Sequence, residues 1–211
     1  MNKKIVIFDM DGVLFDTIPF AEKTYLNLHP GVTSEMYKEL HSDNYHEGIK
    51  KHSHLRIIET DEEKEINRLA YAEAKKKSRM FDGIKELLVD LHNDGFLIAL
   101  NTGAFNRNCL PLLENSGIKD YFDFIATGDL SKDKIENFKI IEDKLNINRK
   151  NFLFITDALG DVKASNVIGV SVVAVTWGVH NKNFFDREKF SNLIGVVDSV
   201  GELKDLIEKI I

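Results

Sequence analysis

Short apolar runs alternate along the chain with segments whose apolar positions recur every three to four residues. The runs span Lys4 to Phe8, Phe96 to Asn101, Phe124 to Ala126, Phe152 to Thr156, Val172 to Thr176 and Gly195 to Val197. Each is too short for a helix and too uniformly apolar for a half-solvated strand, so each predicts a strand buried on both faces. The helical pattern is clearest over residues 83 to 94, where Ile84, Leu87, Leu88 and Leu91 share one face and Gly95 is placed to close the helix in the left-handed conformation. A second helix, 135 to 145, carries Phe138, Ile141 and Leu145 on one side, and a last one opens on a Ser199/Glu202 capping box before Leu203, Leu206, Ile207 and Ile210. Strands separated by crossover helices predict an α/β fold with a parallel sheet.

Residues 17 to 80 break this alternation. They contain no convincing strand and offer helical stretches near Pro19 to Leu28, Ser34 to His41 and Thr60 to Arg79, the last opened by a Thr60/Glu63 capping box. The segment holds 11 basic and 11 acidic residues, so the formal charge of -6 lies in the remainder. Its histidines His29, His41, His46, His52 and His54 show no metal-ligand spacing and are expected on solvated helix surface, with one of them free to reach a substrate.

Composition narrows the function classes. A chain of 211 residues, 43% hydrophobic and 29% charged, can bury the core of one large domain or of one domain with an insert. The negative balance gives no footprint for nucleic acid, and the run Lys75, Lys76, Lys77 falls on a predicted helix, where a solvated face is expected. No membrane span is expected, and the opening MNKKIVIFDMDG, interrupted by Asp9, does not read as a secretory signal. The lone Cys109 excludes an internal disulfide and fits a reducing, cytoplasmic setting, with no partner pointing to a catalytic thiol.

Candidate chemistry lies just after the strands. In open parallel sheets, ligands bind outside the carboxyl ends of strands where the strand order reverses. Asp9 and Asp11 follow the first run, Thr102 the second, and Asp157 and Asp161 the fourth. Asp9 and Asp11 point the same way along an extended stretch, and Gly12 lets the chain turn beside them. Asp157 and Asp161 suit a loop entering a helix, whose N-terminal dipole favours anions. Four carboxylates in one crevice call for a cation, and oxygen ligands point to a hard one, Mg²⁺ where phosphate is also handled.

FDMDGVLFDT, the strand-end Thr102, a lysine in LSKDKIENF and ITDALGDVKAS, in this order, resemble the four motifs of the haloacid dehalogenase-like superfamily of phosphohydrolases, over nearly the whole chain. The closing VVAVTWGVHNKNFF is similar to the phosphoglycolate phosphatase-like branch, as is Pro19. The resemblance implies a Rossmann-like core of residues 1–16 and 81–211 and a helical type 1 cap of residues 17–80, hinged near Asp16 and residues 79 to 82. It further implies a Mg²⁺-dependent phosphatase that takes a small phosphorylated metabolite, as a monomer or homodimer. Asp9 would be the nucleophile that carries the phosphoryl group. Asp11 would be the acid and base. Mg²⁺ would rest on Asp9, the Asp11 carbonyl and Asp157, with Asp161 completing the shell through water or holding the lysine. Thr102 and Gly103 would contact the phosphoryl group, although Thr102 also suits a helix N-cap. The charge-balancing lysine is expected to be Lys132, counted back from Phe138, with Lys134 the alternative because Asp133 stands where the family commonly has proline.

Two rival chemistries remain. A phosphomutase of the β-phosphoglucomutase type shares the first motif and the cap, but typically has histidine where this chain has Ala21. A non-catalytic binding module on the same scaffold would not need all four acids. The expected specificity stretch is His41 to Arg56, HSDNYHEGIKKHSHLR, whose cations and hydrogen-bonding groups suit a small anion.

Overall fold

The computed structural model describes residues 4–43 and 45–210. Its centre is a sheet of six parallel strands, β1 (Ile5–Phe8), β2 (Leu97–Asn101), β3 (Phe124–Ala126), β4 (Phe152–Thr156), β5 (Ser171–Val175) and β6 (Leu193–Val197), in the order β3-β2-β1-β4-β5-β6. The chain builds outward from β1 to β3, then returns to place β4 on the other side of β1. The strand order therefore reverses between the two central strands, and a crevice opens at their carboxyl ends.

Alternate strand residues feed two separate cores. Val6 and Phe8 face α5 (Ile84–Asn93), α6 (Asn106–Asn115) and α10 (Val200–Ile210), where Leu87, Leu91, Leu112 and Leu203 are buried. Ile5 and Ile7 face α7 (Lys134–Leu145), α8 (Leu159–Ile168) and α9 (Lys182–Phe185), packing with Phe138, Phe154 and Val162. All four residues of β1 are fully buried, and such side chains stabilise a fold by roughly 1.5–3 kcal/mol each. Gly95 takes a φ of 80° and closes α5, with Phe96 N–H donating to the Leu91 carbonyl at 3.0 Å. At α10 the Ser199 hydroxyl accepts from Glu202 N–H, whereas the Glu202 carboxylate reaches Asp198 N–H rather than closing a full box.

Between β1 and α5 the chain forms α1 (Ile18–Leu28), α2 (Ser34–Leu40), α3 (Tyr45–Lys51) and α4 (Asp61–Lys75). The Thr60/Glu63 capping box opens α4 as expected, but the helix ends at Lys75, short of Arg79. The small cluster at the centre of this segment holds Tyr25, Val32, Tyr37 and Leu40, and the core contributes Val179 to it. The segment leaves and re-enters the sheet side by side: Phe15 bridges Met80, Asp16 N–H donates to the Arg79 carbonyl and Phe81 N–H to the Leu14 carbonyl. Among the described residues, no helix is long and apolar enough to cross a membrane.

Candidate active site

The carboxyl ends of β1 and β4 bring Asp9 and Asp157 together at the point of strand reversal. Asp9 is 7% exposed; Met10 N–H donates to its Oδ1 at 2.7 Å and Lys134 Nζ to its Oδ2 at 2.6 Å. The same ammonium donates to Asp161 Oδ2 at 2.6 Å, and Thr156 Oγ1 donates to that oxygen at 2.6 Å. Asp161 thus holds the lysine, one of the two roles expected of it. Asp157 is buried, and Val179 N–H donates to its Oδ2 at 2.7 Å. Its carboxylate passes between two glycines, because a Cβ at Gly12 or at Gly178 would lie 2.0 or 2.2 Å from Asp157 Oδ2. Gly12 also has a φ of 73°, so both its conformation and its lack of a side chain are required.

Electrostatics at this point are set by burial. Burial pushes Asp9 up to about 6, against the pull of Lys134, and raises Asp157 well above the carboxylate range, with the Asp9 charge adding to the effect. For Lys134 burial disfavours the charge, but Asp161 and Asp9 outweigh it and hold the ammonium more firmly than usual. One cation is therefore shared by two carboxylates, and Asp157 makes no ion pair among the described residues. Buried carboxylates in such a deficit of positive charge suit a bound cation. Among the described residues, no three His, Cys, Asp or Glu side chains form a metal cluster. The donors that fit are the two carboxylates Asp9 and Asp157, a sparse oxygen set of the kind Mg²⁺ accepts because it keeps several waters.

The geometry corrects the choice of lysine. Lys132 lines the same cavity, but its ammonium lies over the Phe105 ring, 5.7 Å from the centroid, and Lys134 is the lysine beside Asp9. The cause is local: Asp133 caps α7 by accepting from Ile135 N–H at 2.8 Å, which makes Lys134 the first helical residue, and Asn101 Nδ2 donates to its carbonyl. Thr102 is buried beneath the cavity, and its hydroxyl accepts from Ala104 N–H at 3.1 Å in a local turn. It is not a helix cap, since Phe105 stands at that position of α6 and Asp129 accepts from Asn106 N–H. Gly103 borders the cavity beside it.

Lys75 departs from the expectation of a solvated lysine run, whereas Lys76 and Lys77 are exposed as expected. Lys75 is 2% exposed, and its ammonium spans both Asp11 oxygens at 2.7 and 2.8 Å while Thr17 Oγ1 donates to Asp11 at 2.6 Å. A buried lysine needs such a partner. The sequence separation of 64 residues between Lys75 and Asp11 left no local signal of it. Of the histidines, His41 lines the cavity and burial lowers it to about 4, while His29 is buried against Tyr25; the His46 side chain lies outside the described residues. Cys109 is buried, and burial pushes its thiol up to about 12, which leaves it unreactive.

Above these residues lies a cavity of about 620 Å³, walled on one side by the strand ends and on the other by the helical segment. Direct bonds join the two walls. Gly160 N–H donates to the His41 carbonyl at 2.8 Å, Lys163 pairs with Asp43, Arg187 pairs with Glu39, and His180 Nε2 meets the Lys38 carbonyl at 3.0 Å. His180 Nδ1 accepts from Leu159 N–H, so Nε2 carries the proton in that contact.

Residues 6–175 match the family model described as haloacid dehalogenase-like hydrolase. A phosphoglycolate phosphatase of Nitrosococcus oceani is 26% identical, covering 98% of this chain and 97% of the relative, and one of Nitrosospira multiformis is 27% identical over 98% and 96%. Among solved structures, a haloacid dehalogenase-like family hydrolase from Streptococcus pneumoniae superposes with a TM-score of 0.76 at 18% identity, over 98% of this chain and 99% of that one, a likeness of fold. The chain belongs to the haloacid dehalogenase-like hydrolase family and is a phosphatase-type enzyme within it.

Proposed function

We propose that this enzyme hydrolyses a small phosphomonoester with Mg²⁺ by passing the phosphoryl group through Asp9, with residues 17–80 serving as a cap over a core of residues 1–16 and 81–211. The observation that carries the reading is the Lys134 ammonium shared between Asp9 and Asp161 at the floor of the cavity, where the strand order reverses. An Asp9 oxygen attacks phosphorus, the bond to the ester oxygen breaks, and the Asp11 carboxyl gives its proton to the departing alkoxide. Asp11 then takes a proton from water as the water oxygen attacks phosphorus, releasing phosphate and restoring Asp9. Asp9, Asp157 and the Asp11 carbonyl would hold Mg²⁺, whose charge offsets that of nucleophile and phosphate. Lys134 keeps Asp9 aligned and faces the transferring group, and Thr102 and Gly103 border its oxygens. Thr17 and Lys75 set the direction of the Asp11 carboxyl, so the acid is positioned partly by the cap. Ala21 in the cavity wall supplies no group for a second proton relay, which favours hydrolysis over the mutase reading.

Intact-mass spectrometry after acid quench tests this. With an activated aryl phosphate, Asp11→Asn should accumulate one phosphoryl group and Asp9→Asn none, because an aryl leaving group needs little protonation. An adduct on Asp9→Asn, or equal turnover by both variants, would overturn the assignment.

A further inference from the structure

The cavity is far larger than a two-carbon acid requires, and ligand sites of about 300–1,000 Å³ take molecules of nucleoside size. Its volume of about 620 Å³ is lined by rings: Tyr37, His41, Tyr45 and Tyr71 from the helical segment and Phe105 from the core loop before α6. Three of these rings run in sequence, with centroids 4.9 Å apart from Tyr37 to His41 and 4.8 Å from His41 to Tyr45. The first contact is edge-on and the second tilted, and an aromatic wall of this kind packs against another flat ring by edge or offset contact while contributing little to binding a bare carboxylate.

Charge supports the same direction. Among the described residues, six aspartates and four lysines line the cavity. Lys134 is shared by Asp9 and Asp161, Lys75 is held by Asp11, and Lys163 by Asp43 and Glu188. Lys132, against Phe105, lies on the core side of the cavity. Among the described residues, the helical wall therefore offers a second anionic group no cation that is not already matched by an acid, and burial holds His41 there down at about 4. Asn108 on α6 also borders the cavity, and its Oδ1 has no hydrogen-bond partner among the described residues, a polar acceptor suited to an uncharged N–H or O–H.

Resting on the phosphatase reading, we infer that the substrate is a phosphomonoester whose leaving group carries a flat ring and no second anion, the chemistry of a nucleoside monophosphate rather than of phosphoglycolate. The ring lies among Tyr37, Tyr45, Tyr71 and Phe105, and the phosphoryl group meets Asp9.

The test compares kcat/KM with Mg²⁺ for adenosine and uridine 5′-monophosphates, 2-phosphoglycolate and acetyl phosphate. At least one nucleotide should exceed phosphoglycolate tenfold or more. Tyr45→Ala, at a site 38% exposed where truncation spares the buried cluster, should lower the ratio of nucleotide to acetyl phosphate kcat/KM by about tenfold, the order of one lost stacking contact. Preference for phosphoglycolate, or an unchanged ratio in Tyr45→Ala, would overturn the inference and leave the phosphatase reading intact. Failure to turn over any of the four, acetyl phosphate included, would count against that reading instead. Ring recognition is then decided by calorimetric binding to Asp9→Asn protein, where tighter binding of a nucleotide than of phosphoglycolate supports it and equal or weaker binding ends it.

Discussion

The two walls of the cavity are built on opposite principles. The strand-end wall rests on residues with no exposure at all, such as Val6, Phe8, Phe154 and Ile155, and its acids are fixed by main-chain N–H groups and a shared ammonium. The helical wall has a small cluster of its own, and every residue from Asp61 to Ala70 in α4 is exposed. On the function proposed above, the groups that would hold sub-ångström geometry stand on the densely packed side, and those that would meet the rest of a substrate stand on the less densely packed one. Lys75 is the exception. It belongs to the helical side and pairs with Asp11 of the strand-end side, so the orientation of that acid draws on both walls.

The largest effect that would test this contrast falls on the rigid wall. Stripping metal with EDTA, or Asp157→Ala, should cut turnover by about 10³ or more, since the remaining carboxylates would repel around a poorly held ion; full activity in EDTA after dialysis would remove Mg²⁺ from the account. Next comes the lysine pair. Lys134→Met should cost about 10²–10³ in kcat, the range for losing a preorganised charge at the reacting centre, while Lys132→Met should stay within about threefold. Equal losses in the two steady-state assays would return Lys132 to the site.

A smaller effect should follow Lys75→Met, which keeps the buried stem and removes the charge. With alkyl phosphates, which need the acid, kcat should fall about tenfold or more, and activated aryl phosphates should be nearly spared. A uniform loss on both substrates would reduce Lys75 to a structural residue. Last, native-state hydrogen exchange should show the amides of residues 61–70 opening with far lower free energy than those of β1, and comparable protection would erase the contrast between the walls.

The acids were legible in the sequence because their signal is local. An apolar run ending in Asp9, or in Asp157, states both the strand and the acid that its carboxyl end brings to the cavity. The choice between Lys132 and Lys134 depended on where α7 begins, and one residue of helix start decides which side chain turns inward; Asp133 reads equally well as loop or cap until its bond to Ile135 N–H is seen. Lys75 was hidden for another reason. Three consecutive lysines look alike in composition, and the burial of the first is set by Asp11 far away in sequence. Strand β6 begins at Leu193, two residues before the run taken from the sequence, and a bulge opposite Val172 and Val173 leaves Ile194 exposed, so the apolar pair Leu193 and Ile194 does not follow the uniform burial of the other strands. Helix α3 lay in a stretch rich in polar residues and gave no periodic stripe to read.

The paired exit and entry of the helical segment has a consequence for the history of such molecules. Phe15 and Met80 are neighbours in a two-stranded ribbon, so the sheet sees the same pair of ends whatever chain runs between them. The ribbon acts as a socket: its register is set by the core, and the piece it carries is free to lengthen, shorten or be replaced without disturbing the order of the strands. New substrate ranges can then arise by exchange of the plugged-in piece, with one restriction imposed by this chain. Any replacement would have to return a cation to Asp11, since Lys75 is the buried ammonium that, among the described residues, the core borrows from the segment it holds.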